Sequence, residues 1–443
     1  MTTNDTAATS RWAWPMLVTV TMLNVIGMTI VLPILPFVVR DAMPSFGTLA
    51  LWVGLLEAVN ALCAFLAAPV LGGISDRWGR RPVIVIGAFG AAAGFLIFAL
   101  GGFLAGSLSG AIWLLLLGRV VQGVTAGDMP ALFAYVADIT PAEERAKRYG
   151  MLGALTGIGF MIGPAVGGLL AAHSVDLPVL ATAAVALTVG VVTLVALPES
   201  HAPENRTDRL TVEQIHPLRV FRQAFARPSL RMLLTGLLLV AIPFSFFVNN
   251  YSVLAMDTVD WSPTQIGLLN SCIGVLDIVI QGVLLGILLK WVGERGVILG
   301  GIVVQALGVL ALALLASVLQ QPWLLITGTL MLGAGEGPMT ATLNGVLSTS
   351  VGDDEQGWLA GVTQGMQNAV GVVVPLAVGV LYGIGAGVPY WIALVLLCAA
   401  FVILSRASFA SPSRVTPADP AGTAASSDAA EPGTLSGVAA TAS

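Results

Sequence analysis

Leu71-Gly72-Gly73-Ile74-Ser75-Asp76-Arg77-Trp78-Gly79-Arg80-Arg81-Pro82 is a short polar stretch set between two long apolar ones. The flanking runs, residues 48–71 and 82–104, are each long enough to cross a hydrocarbon core, which takes about 20 predominantly apolar residues. The stretch reads as a tight loop at a membrane surface joining two antiparallel spans. Gly79 permits the sharp turn. Asp76 is placed to pair with a helix N-terminus, and Arg80 with an acid on a neighbouring helix.

Moving outward from this loop, the same rule gives twelve spans. In the first half they lie near 13–38, 48–71, 82–104, 110–136, 150–171 and 178–197. In the second half they lie near 231–255, 264–289, 296–318, 323–348, 358–383 and 388–407. The composition agrees: 56% of the 443 residues are hydrophobic and only 10% charged, where a soluble domain carries about a quarter. Of the 19 Lys and Arg residues, 17 fall on one side of the membrane, the exceptions being Arg40 and Arg119. Positive charge marks the cytoplasmic side, so both termini are expected inside, with a polar segment at 1–11 that is no cleavable leader.

The chain divides at one long loop. Residues 12–197 form a first six-helix bundle, 198–230 a cytoplasmic linker and 231–407 a second bundle, followed by a polar tail, 408–443, expected to be disordered. Within the linker, Leu218, Phe221 and Phe225 share a helical face beside Arg219 and Arg222, the pattern of a helix lying on the inner leaflet. The opening loop also recurs: Gly286-x6-Gly293-Glu294-Arg295 follows span eight as Gly72-x6-Gly79-Arg80-Arg81 follows span two, 214 residues earlier. Two related all-α halves of six spans imply a transporter with its site between them at mid-membrane.

Five ionisable residues lie inside spans: Glu57, Arg119, Asp128, Asp277 and Glu336. Each costs about 2.5–3.5 kcal/mol on the insertion scale, so each is a functional candidate. Arg119 and Asp128, nine residues apart, would face opposite sides of a continuous helix, each needing a partner elsewhere. Glu336 has Thr340 and Asn344 on its face, Asp277 has Asn270 and Gln281, and Glu57 has Asn60 one turn away. A carboxyl in such surroundings can take up and release a proton as access alternates. Asn24, Asn249, Asn250, Tyr251, Gln364, Gln367 and Asn368 are further polar candidates for a cavity wall, and Phe244, Phe246 and Phe247 could stack on a planar or lipophilic compound. The acids outnumber the one arginine, which favours cationic or neutral substrates over anionic ones.

His173, His201 and His216 lie in loops and Cys63, Cys272 and Cys398 in apolar runs. No metal-ligand spacing and no catalytic constellation follows from them. Neither metal, cofactor, nucleic acid nor enzymatic activity is expected. The expected partners are a small molecule, protons and the bilayer, and the expected state is a monomer.

The loop Gly72, Asp76, Arg77, Gly79, Arg80, Arg81 resembles the cytoplasmic loop signature of the major facilitator superfamily. In that family it latches the two halves and meets an acid at the end of span four, where Asp138 stands here. Span one carries Gly27-x5-Pro33-x2-Pro36, and span four Arg119-x2-Gln122-Gly123, whose arginine the resemblance implicates in proton transfer. Span five, Gly150-x8-Gly159-x3-Gly163-Pro164-x2-Gly167-Gly168, is similar to the superfamily's antiporter motif at every position. Its small residues suit close helix packing.

Tyr135-Val-Ala-Asp138-Ile-Thr140, Glu144-Arg145 and Glu355-Gln-Gly357 resemble bacterial tetracycline efflux proteins of the twelve-span drug:proton antiporter family. Asn24, Gly94 and Gln305 stand where those proteins carry acids, so a proton path here must use other residues. The resemblance implies a proton-coupled exporter of a small, partly hydrophobic organic compound (drug, antibiotic or metabolite) in the cell membrane. A nutrient importer or a lysolipid flippase on the same fold is the alternative.

Overall fold

The computed structural model describes residues 3–43, 48–105, 107, 110–201, 217–352 and 355–407. The described residues are helical, without a strand: α1 (Thr3–Ile30), α2 (Leu35–Ala42), α3 (Leu49–Trp78), α4 (Arg80–Leu104), α5 (Ala111–Thr125), α6 (Asp128–Ile139), α7 (Ala142–Ala171), α8 (Asp176–Ala196), α9 (Pro217–Ala226), α10 (Pro228–Val259), α11 (Pro263–Val279), a π turn (Ile280–Leu284), α12 (Leu285–Ser317), α13 (Pro322–Thr349), α14 (Gln356–Ile384) and α15 (Val388–Ser405). The tail at 408–443 and most of the linker, 202–216, lie outside the described residues.

Two spans are built from two helices each. Span one passes from α1 to α2 through a turn at residues 31–34, where Pro33 removes a donor. Span four breaks at Ala126–Gly127: the Gly127 N–H turns back to the Thr125 carbonyl at 2.7 Å, and α6 begins at Asp128. A third feature merges two spans. Pro263–Ser317 runs 55 residues as one apolar helical stretch, about 80 Å at helical rise and far more than one bilayer thickness. It turns back at Gly293, with φ +68°. Ten apolar stretches meet the length and hydropathy of a crossing. Dividing the long one at Gly293 and adding the 28-residue α13, made less apolar by Glu336, Thr340 and Asn344, yields twelve passes.

Gly79, at φ +113°, and Gly293 are the two glycines with positive φ among the described residues. They are the pair that the 214-residue repeat aligned. Only glycine enters this region without a Cβ clash, so each half uses the same device to fold span two onto three, or eight onto nine.

Helices α1–α8 pack among themselves, as do α10–α15, and the halves meet where α3 touches α14 and α10, and where α7 touches α11. Contact between the halves is tight at one end only. A Cβ on Gly379 would lie 2.6 Å from the Ala50 carbonyl, and one on Gly54 would collide with the Pro375 carbonyl. On the other seam, Gly168 approaches the Pro263 carbonyl (2.8 Å to a Cβ), Gly267 abuts the Pro164 carbonyl, and Gly274 the Met161 backbone. Toward the end bearing the Gly72–Arg81 loop the seams part. Gly150 and Gly153 on α7, Gly282 and Gly286 near the π turn, and Gly72 and Gly361 on α3 and α14 face open space within 4 Å. The halves form a V that is closed at one end and open at the end carrying the basic loops.

Exposed tryptophans mark both ends. Trp12, Trp78 and Trp291 surround the open end, and Trp113, Trp323 and Trp391 the closed one, the placement of residues that anchor at membrane–water interfaces.

The amphipathic linker helix is present as α9, and part of its apolar face is taken up by the protein. It packs on α10 and α14, with Ala224 buried and the Phe221 ring against Gly365. The protein thus supplies part of the apolar surface under this helix. The side chains of Leu218 and Arg219 lie outside the described residues.

Candidate functional site

Two polar chambers lie near the middle of the bundle. The first, about 340 Å³, is lined by Asn24, Glu57, Asn60, Arg119, Gln122 and Asp128 among apolar residues of the first half. Arg119 is buried. Its Nη2 donates to Glu57 Oε1 at 2.7 Å and its Nη1 to Gln122 Oε1 at 3.1 Å, while the guanidinium lies 5.3 Å from the Phe98 ring centre. Asn60 donates to the Arg119 carbonyl at 3.2 Å. Asn24 donates to the Asp128 carboxylate. The break at Ala126–Gly127 overturns the expectation that Arg119 and Asp128 face opposite sides. The helix is not continuous between them, and both line one chamber.

At Gly94, one of the two first-half positions where the resemblance places an acid, the structure leaves no room for a side chain. Gly94, on α4, faces α5 so closely that a Cβ would sit 2.5 Å from Gln122 Cγ and 2.8 Å from the Gly118 carbonyl. An acid there would displace Gln122. Gly123 is seated just as tightly on α3, with Cys63 Cβ 2.6 Å from a Cβ placed on it. In the second half, Gln305 is fully buried where α12 packs against Gly335 of α13, and it lines neither chamber.

The second chamber, about 330 Å³, is lined by Thr156, Phe160, Phe244, Phe247, Tyr251, Asn270, Asp277 and Glu336, with small residues of α7 and α11 between them. Thr340 donates to Glu336 Oε1 at 2.8 Å, and Gln281 to Asp277 Oδ1 at 2.6 Å. Phe244, Phe247 and Tyr251 form one aromatic wall, with ring centres 6.3 and 4.9 Å apart. Among the described residues that line this chamber none is basic. The two chambers thus differ in their cation: in the first the carboxylate of Glu57 is answered by an arginine and that of Asp128 by Asn24, whereas in the second those of Asp277 and Glu336 are held only by neutral donors.

Several expected cavity residues stand elsewhere. Asn250 is buried with its amide toward the Tyr390 hydroxyl at 3.5 Å, packing α10 against α15. Asn249 bonds its own helix at Ser245. Phe246 is buried in the core. Gln364 donates to Asn368 at 3.0 Å on α14, and neither they, Gln367 nor Asn344 line either of these two chambers. On α10 the face bearing Phe244, Phe247, Val248 and Tyr251 is the one turned to the second chamber.

The Gly72–Arg81 loop closes on its own half. Arg80 Nε lies 3.1 Å from Asp138 Oδ2 as expected, and Arg80 also bonds Ser75 and Asp76. Ser200 donates to Asp138 at 3.0 Å, and His201 Nδ1 lies 3.6 Å from it. The expectation for Asp76 is corrected: it pairs with Arg80, not with a helix N-terminus. Glu199 takes that role, accepting from the backbone N–H groups of Arg80 at 2.8 Å and Arg81 at 3.2 Å, where the helix dipole favours a carboxylate. Arg81 itself reaches back to carbonyls ending α8, and Arg77 is exposed. Glu199 went unnoticed in the sequence, although its place directly after span six beside Pro198 is visible there. At the same end Arg227 forks onto Glu355 at 2.6 and 2.8 Å, and this hydrogen-bonded pairing holds the Glu355 carboxyl below its usual range.

The span-five motif glycines other than Gly150, which faces open space, are seats for neighbouring helices. Gly159 meets Val25, Gly163 meets Thr29 and Gly167 meets Ile30, all on α1. The Thr29 hydroxyl also donates to the Gly159 carbonyl at 3.0 Å. Pro164 and Gly168 face α11 instead. A family model described as Major Facilitator Superfamily matches residues 17–375, with a second match at 244–439. The chain belongs to the Major Facilitator Superfamily. It is 32% identical over 354 residues to the class C tetracycline resistance protein of Escherichia coli, covering 80% of this chain and 85% of that one. It is 30% identical over 366 residues to the class H tetracycline resistance protein of Pasteurella multocida, covering 81% and 86%. Among solved structures, a D-xylose-proton symporter superposes with a TM-score of 0.70 at 15% identity, over 89% of this chain and 97% of that one. This member of the superfamily is accordingly a multi-pass membrane transporter and not an enzyme.

Proposed function

We propose that the chain is a proton-coupled antiporter that exports a small, partly hydrophobic organic compound by alternating access. The observation that carries this reading is the second chamber: two carboxylates without a basic partner, facing an aromatic wall, where α7 and α11 begin to part. Such a carboxylate can hold either a proton or the positive end of a bound compound, but not both. Competition of that kind is what exchange of one for the other requires. The resistance proteins among the relatives support a drug or antibiotic as cargo.

The distribution of Lys and Arg supports an open end that faces the cytoplasm, with the cell membrane as location. The compound enters the open V and lies against Phe244, Phe247 and Tyr251 with Glu336 and Asp277 deprotonated. After the halves rock, a proton from outside takes Glu336 and weakens the hold on the compound. Return to the inward-open state releases the proton.

Everted membrane vesicles test this directly. With a proton gradient already formed, adding tetracycline, a quinolone, ethidium or tetraphenylphosphonium should discharge it for at least one compound when the chain is present. Glu336→Gln should abolish the discharge. Undiminished discharge in that variant would remove Glu336 from the coupling step.

A further inference from the structure

The two chambers border one another through three side chains, Leu32, Phe160 and Val248, each of which lines both. They come from three places: the turn between α1 and α2, the middle of α7, and α10. Leu32 and Val248 are aliphatic. Phe160 is the one large ring, and 41% of its surface is exposed.

Its setting on α7 singles it out. The face of α7 turned to the second chamber reads Gly153, Thr156, Gly157, Phe160, Pro164, one helical stripe by its three- and four-residue steps. Every other member is small or a proline, so the ring projects into space its neighbours leave clear. Of the residues on α7, Phe160 alone also borders the first chamber. Its direction is fixed by the residue before it. Gly159 lies against Val25 with no room for a methyl group and is hydrogen-bonded through its carbonyl to Thr29. This pins the rotation of α7 on α1, and Phe160 points about 100° away, into the cavity.

Chambers of about 330 and 340 Å³ sit at the lower end of the 300–1,000 Å³ typical of small-molecule sites. Joined, they would hold a compound about twice as large.

We propose that Phe160 is the partition between the chambers and sets the size limit of the compound carried, confining a lipophilic cation to the Asp277–Glu336 side. This rests on the reading that the second chamber is where the organic compound binds. Phe160 acts by exclusion and takes no proton. The seat of Gly159 on Val25 is what keeps the partition upright, giving the span-five glycines a part in selectivity as well as in helix packing.

The test is calorimetric titration of the purified full chain with alkyltriphenylphosphonium ions of increasing tail length. For the wild type, affinity should climb about three- to fourfold per added methylene and then fall once the chamber is full. Phe160→Ala should move that turning point to tails longer by about two or more methylenes, and Phe160→Trp should move it to shorter ones. Opposite shifts in two variants cannot come from general loss of folding. A turning point shared by all three proteins would overturn the proposal, as would failure of every member to bind the wild type. The vesicle experiment separates this from the transport reading: shifted turning points without any gradient discharge would leave the partition standing and remove proton coupling.

Discussion

Single residues carry two kinds of load here. Gly79 lies at φ +113° with the Glu199 carboxylate against the position a Cβ would take, so two constraints meet on one atom. Gly79→Ala should therefore cost about 1–3 kcal/mol and also push Glu199 off the α4 N-terminus. The melting temperature of the detergent-purified protein should drop measurably, whereas Gly72→Ala, where a Cβ meets open space, should leave it nearly unchanged. Arg119 and Glu57 carry the other load. Their contact at 2.7 Å is shielded from solvent on the Arg119 side and half-open on the Glu57 side. A double-mutant cycle of Arg119→Leu and Glu57→Gln should return a coupling of about 1–3 kcal/mol, read from melting in one detergent. A coupling near zero would mean the pair is not formed in the resting protein.

At the scale of helices, much was legible in advance and the exceptions have a common cause. The spans, the opening loop and the repeat of Gly79 at Gly293 follow from hydropathy, glycine and spacing, which are local properties, while Asp138 as the partner of Arg80 follows from the family resemblance. What escaped was set by breaks and rotations. The turn at Ala126–Gly127 puts Arg119 and Asp128 on one chamber, although a regular helix would separate them. Rotation of α10 buries Asn250 against α15 and presents Phe247. Neither is encoded in the local pattern, because each depends on which neighbouring surface offers the better fit. The same holds for α9, whose amphipathic pattern does not show that it also packs on α10 and α14. The seams give a prediction at this scale. Gly267→Val should prop α7 from α11 at the closed end, since its Cβ already meets the Pro164 carbonyl. In a background with Cys63, Cys272 and Cys398 replaced by serine, a Phe160→Cys reporter should then react from the closed side with a membrane-impermeant maleimide faster than it does when Gly267 is intact.

At the scale of the molecule, the two halves share a turn device and an architecture but not a chemistry. The first half sets Arg119 against Glu57 and leaves Asp128 to Asn24. The second leaves Asp277 and Glu336 facing an aromatic wall. A two-fold repeat that has diverged in this way can give one half to structure and gating and the other to exchange, while the rocking of both changes access. The measurement that tests this most directly uses the protein in liposomes with an imposed pH difference, acidic inside, and the compound that discharges the vesicle gradient. Wild-type protein should accumulate that compound inside in exchange for protons. Glu336→Gln should lose accumulation while still catalysing exchange of labelled for unlabelled compound, because the cavity and the rocking motion remain. Gradient-driven accumulation at the wild-type rate in Glu336→Gln would contradict the account.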